Sequence, residues 1–211
     1  MESNIKTENL NEVKMNINLS NEDIISEIIT SDDFKKRLEA INANYSNLKQ
    51  ENLIRNYILE QLNEYFIENG WNNKKAFAEH PRDKGARVDL SIVDCNDIEN
   101  PYNIEFKYQF SGDNKRMTKY HHVIKKDFEK RGSKLFVLII AHWEKSYKRE
   151  FDDKWGISSN LNKYISKTDD CKENIKNTLR TFKNSELIEF EKIQITKPFD
   201  IEYYFYVLKR I

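Results

Sequence analysis

The chain is poor in the residues that break or staple a backbone: five glycines, three prolines and two cysteines among 211 residues. No Pro-, Gly- or Ser-rich stretch marks a linker, no repeat is visible, and the only compositional bias is towards asparagine. One domain with a substantial core, with or without a small helical appendage, is therefore expected. Cys95 and Cys171 lie far apart and form no CxxC pair, which argues against a disulfide framework and a zinc site and points to a reducing compartment. No apolar run reaches membrane-spanning length, and the N-terminal "MESNIKTENLNEVKMNINLS" has no apolar core for secretion, so a cytoplasmic location away from membranes is expected. A Gly-rich phosphate loop and a nucleophile elbow are missing too, which removes the usual signals for nucleotide hydrolysis and for Ser-His-Asp chemistry.

Net charge is also lacking, because 35 basic residues balance 35 acidic ones. No global field draws the chain to a polyanion, so such a partner must be met by a local patch. The charges are unevenly spread. Residues 1–64 carry 7 basic and 12 acidic side chains, whereas residues 113–134 carry 8 basic and 3 acidic. A run of this kind is commonly a solvated helix face, and it is also what a phosphate-binding surface looks like.

What is present reads as a mixed α/β chain. Ser20 is placed to cap a helix over "NEDIISEIIT", and Ser31 or Asp32 one over "DFKKRLEAINANY". The longest periodic segment follows, with Leu48, Leu53, Ile54, Tyr57, Ile58, Leu62, Tyr65 and Phe66 on one stripe and Gly70 at its end. "GARVDLSIVD" and "YNIEFKYQF" read as neighbouring strands joined by a polar loop, "CNDIENP". A basic helix over "KRMTKYHHVIKKDFEKRG", closed by Gly132, leads to "KLFVLIIAHW", an uninterrupted apolar run suited to a central strand covered on both faces. A helix near 171–183 and two strands, "LIEFEKIQI" and "IEYYFYVLKRI", complete the chain. The expectation is an N-terminal polar segment with short helices over 1–45, then a domain over 46–211 with a central mixed β-sheet flanked by helices.

Chemistry can be placed on that frame. The pattern acid-x-Lys occurs six times, at Glu12, Asp33, Glu105, Asp113, Asp152 and Asp170, but only Glu105-Phe106-Lys107 sits in an alternating strand, where the period of two puts both side chains on one face. Sixteen residues earlier, Asp89 points away from Val88, Leu90 and Ile92. Two adjacent strands thus present two carboxylates and an amine together, which makes sense around a divalent cation because bare carboxylates repel and one would protonate. Gln109, next along the face, can hold a water or a phosphate oxygen, or simply cover the sheet, and the latter is the simpler reading. His121 and His122 read as one packed and one solvated ring, while His80 and His142 have no partner at ligand spacing. Gly85 before the Asp89 strand can let a backbone approach closely or form a turn.

The order helix with Glu, strand with Asp, strand with Glu-x-Lys, amphipathic helix and apolar strand resembles the PD-(D/E)xK, or restriction-endonuclease-like, nuclease superfamily over roughly residues 46–142. The resemblance implies a Mg²⁺, replaceable by Mn²⁺, held by Asp89, Glu105 and the carbonyl of Phe106. A bound water then attacks a phosphodiester, with Lys107 as the catalytic amine. Many members place a helix Glu beside the metal. Glu51 matches, lying about 60° from the centre of the apolar stripe where Glu60 lies about 120° away. No Pro precedes Asp89; Asp83 is a rival acid in a loop, and Asp94 has the wrong parity. Lys115, Arg116, Lys119, Lys125 and Lys126 would contact phosphates without reading sequence. What the resemblance implies is a DNA endonuclease of the restriction (type II-like) or defence kind, with DNA preferred to RNA. An RNase toxin, a repair or junction nuclease, and an inactive nucleic-acid-binding module are the alternatives. A palindromic target would call for a two-fold dimer, with the tail strands as candidate interface.

Overall fold

A computed structural model describes residues 19–81, 87–112, 121–122, 124–158, 161–167 and 170–211. Three helices open the chain: α1 (Asn21–Thr30), α2 (Asp32–Tyr45) and α3 (Glu51–Glu68). Ser20 caps α1 in a reciprocal capping box with Asp23, and the Ser31 hydroxyl accepts from the Phe34 N–H to start α2. α3 ends as its sequence requires, with Gly70 at φ +71 after the last turn. It starts later than its apolar stripe suggests: Leu48 precedes the helix and is exposed, because the periodic contacts to the sheet begin only at Ile54.

Seven strands form one mixed sheet: β1 (Lys74–Pro81), β2 (Arg87–Asp94), β3 (Asp97–Phe110), β4 (Leu135–His142), β5 (Ser185–Glu189), β6 (Ile193–Ile195) and β7 (Ile201–Arg210), in the order β1-β2-β3-β4-β7-β5, with β6 also on β7. β3 and β4 run parallel, and the other pairs run antiparallel. β4 is the central strand its apolar run promises, buried from Leu135 to Ala141. The helices cover both faces. On one, Ile24, Phe34, Leu38, Ile54, Ile58 and Leu62 pack against Phe106, Tyr108, Val137, Ile139, Tyr203 and Phe205. On the other, Ile124, Phe128, Ile175 and Leu179 pack against Phe136, Leu138, Ile140, Tyr206 and Leu208. The last two of those helical residues belong to α5 (Asp170–Leu179), and α4 (Lys145–Lys154) follows β4.

Several elements differ from expectation. "CNDIENP" is mostly strand, because β2 and β3 form a tight hairpin closed at Asp94 and Asp97; a register irregularity between Ile92 and Asp94 accommodates Pro101, which has no N–H to offer the ladder. β1 carries three charges and two alanines and has no clear strand pattern. It is held at the sheet edge by α3, whose Asn63 side chain both accepts from the Ala76 N–H (2.8 Å) and donates to its carbonyl (3.1 Å). "LIEFEKIQI" splits into β5 and β6, which pair end to end along one edge of β7, β5 with Tyr206–Arg210 and β6 with Ile201–Tyr203. The basic helix is described only in part: Lys125–Lys130 form a π-helical turn, while Lys115, Arg116 and Lys119 lie outside the described residues, as do Asp83 and Gly85.

Candidate active site

β2 and β3 part where chemistry is expected. β2 stays paired with β1 as far as Arg87, yet its last described pair with β3 joins Leu90 to Ile104. Beyond it β3 has backbone N–H groups facing a gap, and two carboxylates meet them. The Phe106 N–H donates to Asp89 Oδ2 at 2.7 Å, and the Tyr108 N–H donates to Glu51 Oε2 at 2.6 Å. A strand residue's N–H and C=O point the same way, so the Phe106 carbonyl also faces this gap. Glu51, at the first turn of α3, reaches in as its helical position predicts.

On the adjoining face of β3, Glu105 is 3% exposed and Lys107 half-buried, so this is no water-facing strand. Glu105 lies within hydrogen-bonding reach of the Asp89 carboxylate. Burial first, then the neighbouring Asp89 and Asp127, push its carboxyl up to about 8, with Arg131 opposing. Arg131 Nη1 stands 3.4 Å from Glu105 Oε1 and 3.2 Å from Asp127 Oδ1. Burial also raises Glu51, against the pull of Lys107 and the Tyr108 N–H, and the Asp89 charge acts on it too. Lys107 and Asp89 thus act on Glu51, and Asp89 acts on Glu105.

Two neighbouring carboxylates, Asp89 and Glu105, with a backbone carbonyl facing the same gap, have the hard-oxygen chemistry a divalent cation takes, the rest of its shell being water. That donor set fits Mg²⁺. Among the described residues no three Asp, Glu, His or Cys side chains form a metal-holding group, and here Asp89 and Glu51 each direct an oxygen to a β3 N–H.

The remaining candidates fall elsewhere. Lys125 and Lys126 are exposed on the π-helical turn. Asp94 closes the hairpin, accepting from the Asn96 N–H and the Asn73 amide. His121 stacks on Phe182 at 4.8 Å between ring centroids and His122 is exposed. His142 is not solitary: on β4, beside the end of β3, its Nδ1 lies 2.7 Å from Ser111 Oγ, which also accepts from the Ser166 N–H. Sequence reading missed this pair because neighbours on parallel strands leave no local spacing signal. It also missed Arg131 as the partner of Glu105, and it took Gln109 for a sheet cover where the structure buries it. Comparisons with family models, with curated proteins and with solved structures returned no match to this chain.

Proposed function

We propose that the chain is a Mg²⁺-dependent nuclease that hydrolyses phosphodiester bonds, in DNA rather than RNA, in a restriction or defence setting. The observation that carries this reading is the gap between β2 and β3, where Glu51 and Asp89 bind successive outward N–H groups of the strand that bears Glu105 and Lys107. A metal bound there would supply Lewis acidity and an activated water. The chain's own groups do the rest. Asp89 and Glu105 would hold the cation; Glu51 fixes the strand edge and would add negative charge beside it. Lys107 places a cation against the phosphate as charge builds on its oxygens. Lys125 and Lys126 extend a basic surface for the backbone, and Lys115, Arg116 and Lys119 belong to the same run.

Incubation of plasmid, single-stranded DNA and RNA with Mg²⁺ or Mn²⁺, beside a Lys107→Ala variant, tests the reading. Metal-dependent cleavage that the variant loses supports it; equal cleavage by the variant, or none on any substrate, sinks it. One observation favours a second reading: Arg131 pairs with Glu105 from within the chain and offsets part of its charge. On that reading the cluster is structural and the fold is a non-catalytic nucleic-acid-binding module.

A further inference from the structure

One face of β3 carries an unbroken polar row, Asn103, Glu105, Lys107 and Gln109, which continues to Ser111 and spans about 26 Å. Most of the row is satisfied within the protein. Asn103 accepts from the Ser91 hydroxyl at 2.6 Å, Glu105 meets Arg131, and Ser111 meets His142. Lys107 and Gln109 are the exceptions. Lys107 makes no hydrogen bond or ion pair among the described residues, although it feels Glu51. Gln109 is 1% exposed, and neither its Oε1 nor its Nε2 has a partner among the described residues. Asn21 and His80 each leave one buried atom unpartnered among the described residues; at Gln109 the whole amide is orphaned.

A buried amide without partners is destabilising, and an apolar side chain of the same shape would relieve that. A glutamine kept there in spite of the cost calls for a partner that the free protein does not hold. Its neighbour on the face supplies half of one: the Lys107 ammonium has protons to donate and no acceptor among the described residues. A phosphate oxygen supplies the other half, since it accepts from both groups.

Resting on the nuclease reading above, we infer that Lys107 and Gln109 form one subsite for a non-bridging oxygen of the bound phosphodiester. With the phosphodiester bound, Gln109 Oε1 would accept from Lys107 Nζ and so orient the ammonium, a bond the free protein does not make among the described residues. Gln109 Nε2 donates to the phosphate oxygen that the ammonium also contacts. The subsite takes a phosphodiester without regard to base, because neither group reads a nucleobase edge.

The test is binding of a fluorescently labelled DNA oligonucleotide, with Ca²⁺ in place of Mg²⁺, to wild type, Lys107→Ala, Gln109→Met and the double variant, beside their thermal unfolding. Gln109→Leu serves as a second apolar replacement. Each single variant should bind about tenfold more weakly, and the double variant little worse than either, because the two groups serve one contact. Both apolar variants should melt roughly 2–4 °C above wild type, since each removes an orphaned amide. Wild-type binding by Gln109→Met, or melting of both apolar variants below wild type, overturns the subsite and leaves the nuclease reading standing. Failure of the wild type to bind DNA overturns both.

Discussion

Asp89 stands in for a strand carbonyl: its Oδ2 accepts the Phe106 N–H at 2.7 Å, at the point where β2 leaves β3. The same carboxylate lies against Glu105. It therefore has two roles that a substitution can separate.

Asp89→Asn keeps an oxygen for the Phe106 N–H and removes the charge beside Glu105. At pH 8 the variant should melt about 2–4 °C above wild type. Asp89→Ala leaves the N–H unpartnered at a cost of about 1–3 kcal/mol and should melt below both. Thermal unfolding of the three proteins checks this. A melting point for Asp89→Asn as low as that of Asp89→Ala would show that the charge itself holds the strands.

Glu105 makes stability depend on pH in a set direction. Its carboxyl is raised from 4.5 to about 8 in the fold, so between those values the folded chain holds a proton that the unfolded chain has released. The contribution of this group to stability is therefore present below about pH 4.5 and falls away as pH rises through about 8. Urea titrations at pH 6 and pH 8.5 should show a loss at the higher pH that Glu105→Gln abolishes. An equal loss in Glu105→Gln would place the titration elsewhere.

Arg131 separates the catalytic reading from the structural one. Removing its guanidinium by Arg131→Gln takes away the ion pair to Glu105 that opposes the rise of its carboxyl. If the cluster serves a metal, Mn²⁺ should raise the melting temperature of the variant by more than it raises that of wild type, because the cation then supplies the missing charge. A variant that is destabilised and indifferent to Mn²⁺ would favour the binding module.

Gly112 seats the turn at 161–164 against the end of β3. A Cβ there would lie 2.5 Å from the Tyr164 carbonyl oxygen, which is backbone and cannot swing aside. Gly112→Ala should cost about 1–3 kcal/mol in denaturant unfolding. It should also disturb the Ser111–His142 pair more than the Asp89–Glu105 pair. Unchanged stability would mean that the turn is loosely held.

The parts of the molecule that could be read in advance are those whose signal is local. The β4 run, the caps at Ser20 and Ser31, Gly70 after α3, and the parity of Asp89 against Glu105 and Lys107 all follow from period and side-chain type. Glu51 could be read from its angle on the helix. Features that depend on tertiary partners could not. β1 is a strand only because β2 pairs with it and Asn63 holds its edge. Arg131 meets Glu105, and Ser111 meets His142, across distances that no spacing rule covers. Gln109 shows the limit from the other side: parity places it on the right face, and only the fold shows that its amide is buried without a partner among the described residues.

The proposed nuclease requires a divalent cation in the gap between β2 and β3. Calorimetric titration of Mn²⁺ at pH 8.5, where Glu105 is largely ionised, tests it most directly. Saturable binding to wild type, weakened at pH 6.5 and lost in Asp89→Asn, is the result predicted. Binding that persists unchanged in Asp89→Asn, or no binding to the wild type at either pH, would contradict it.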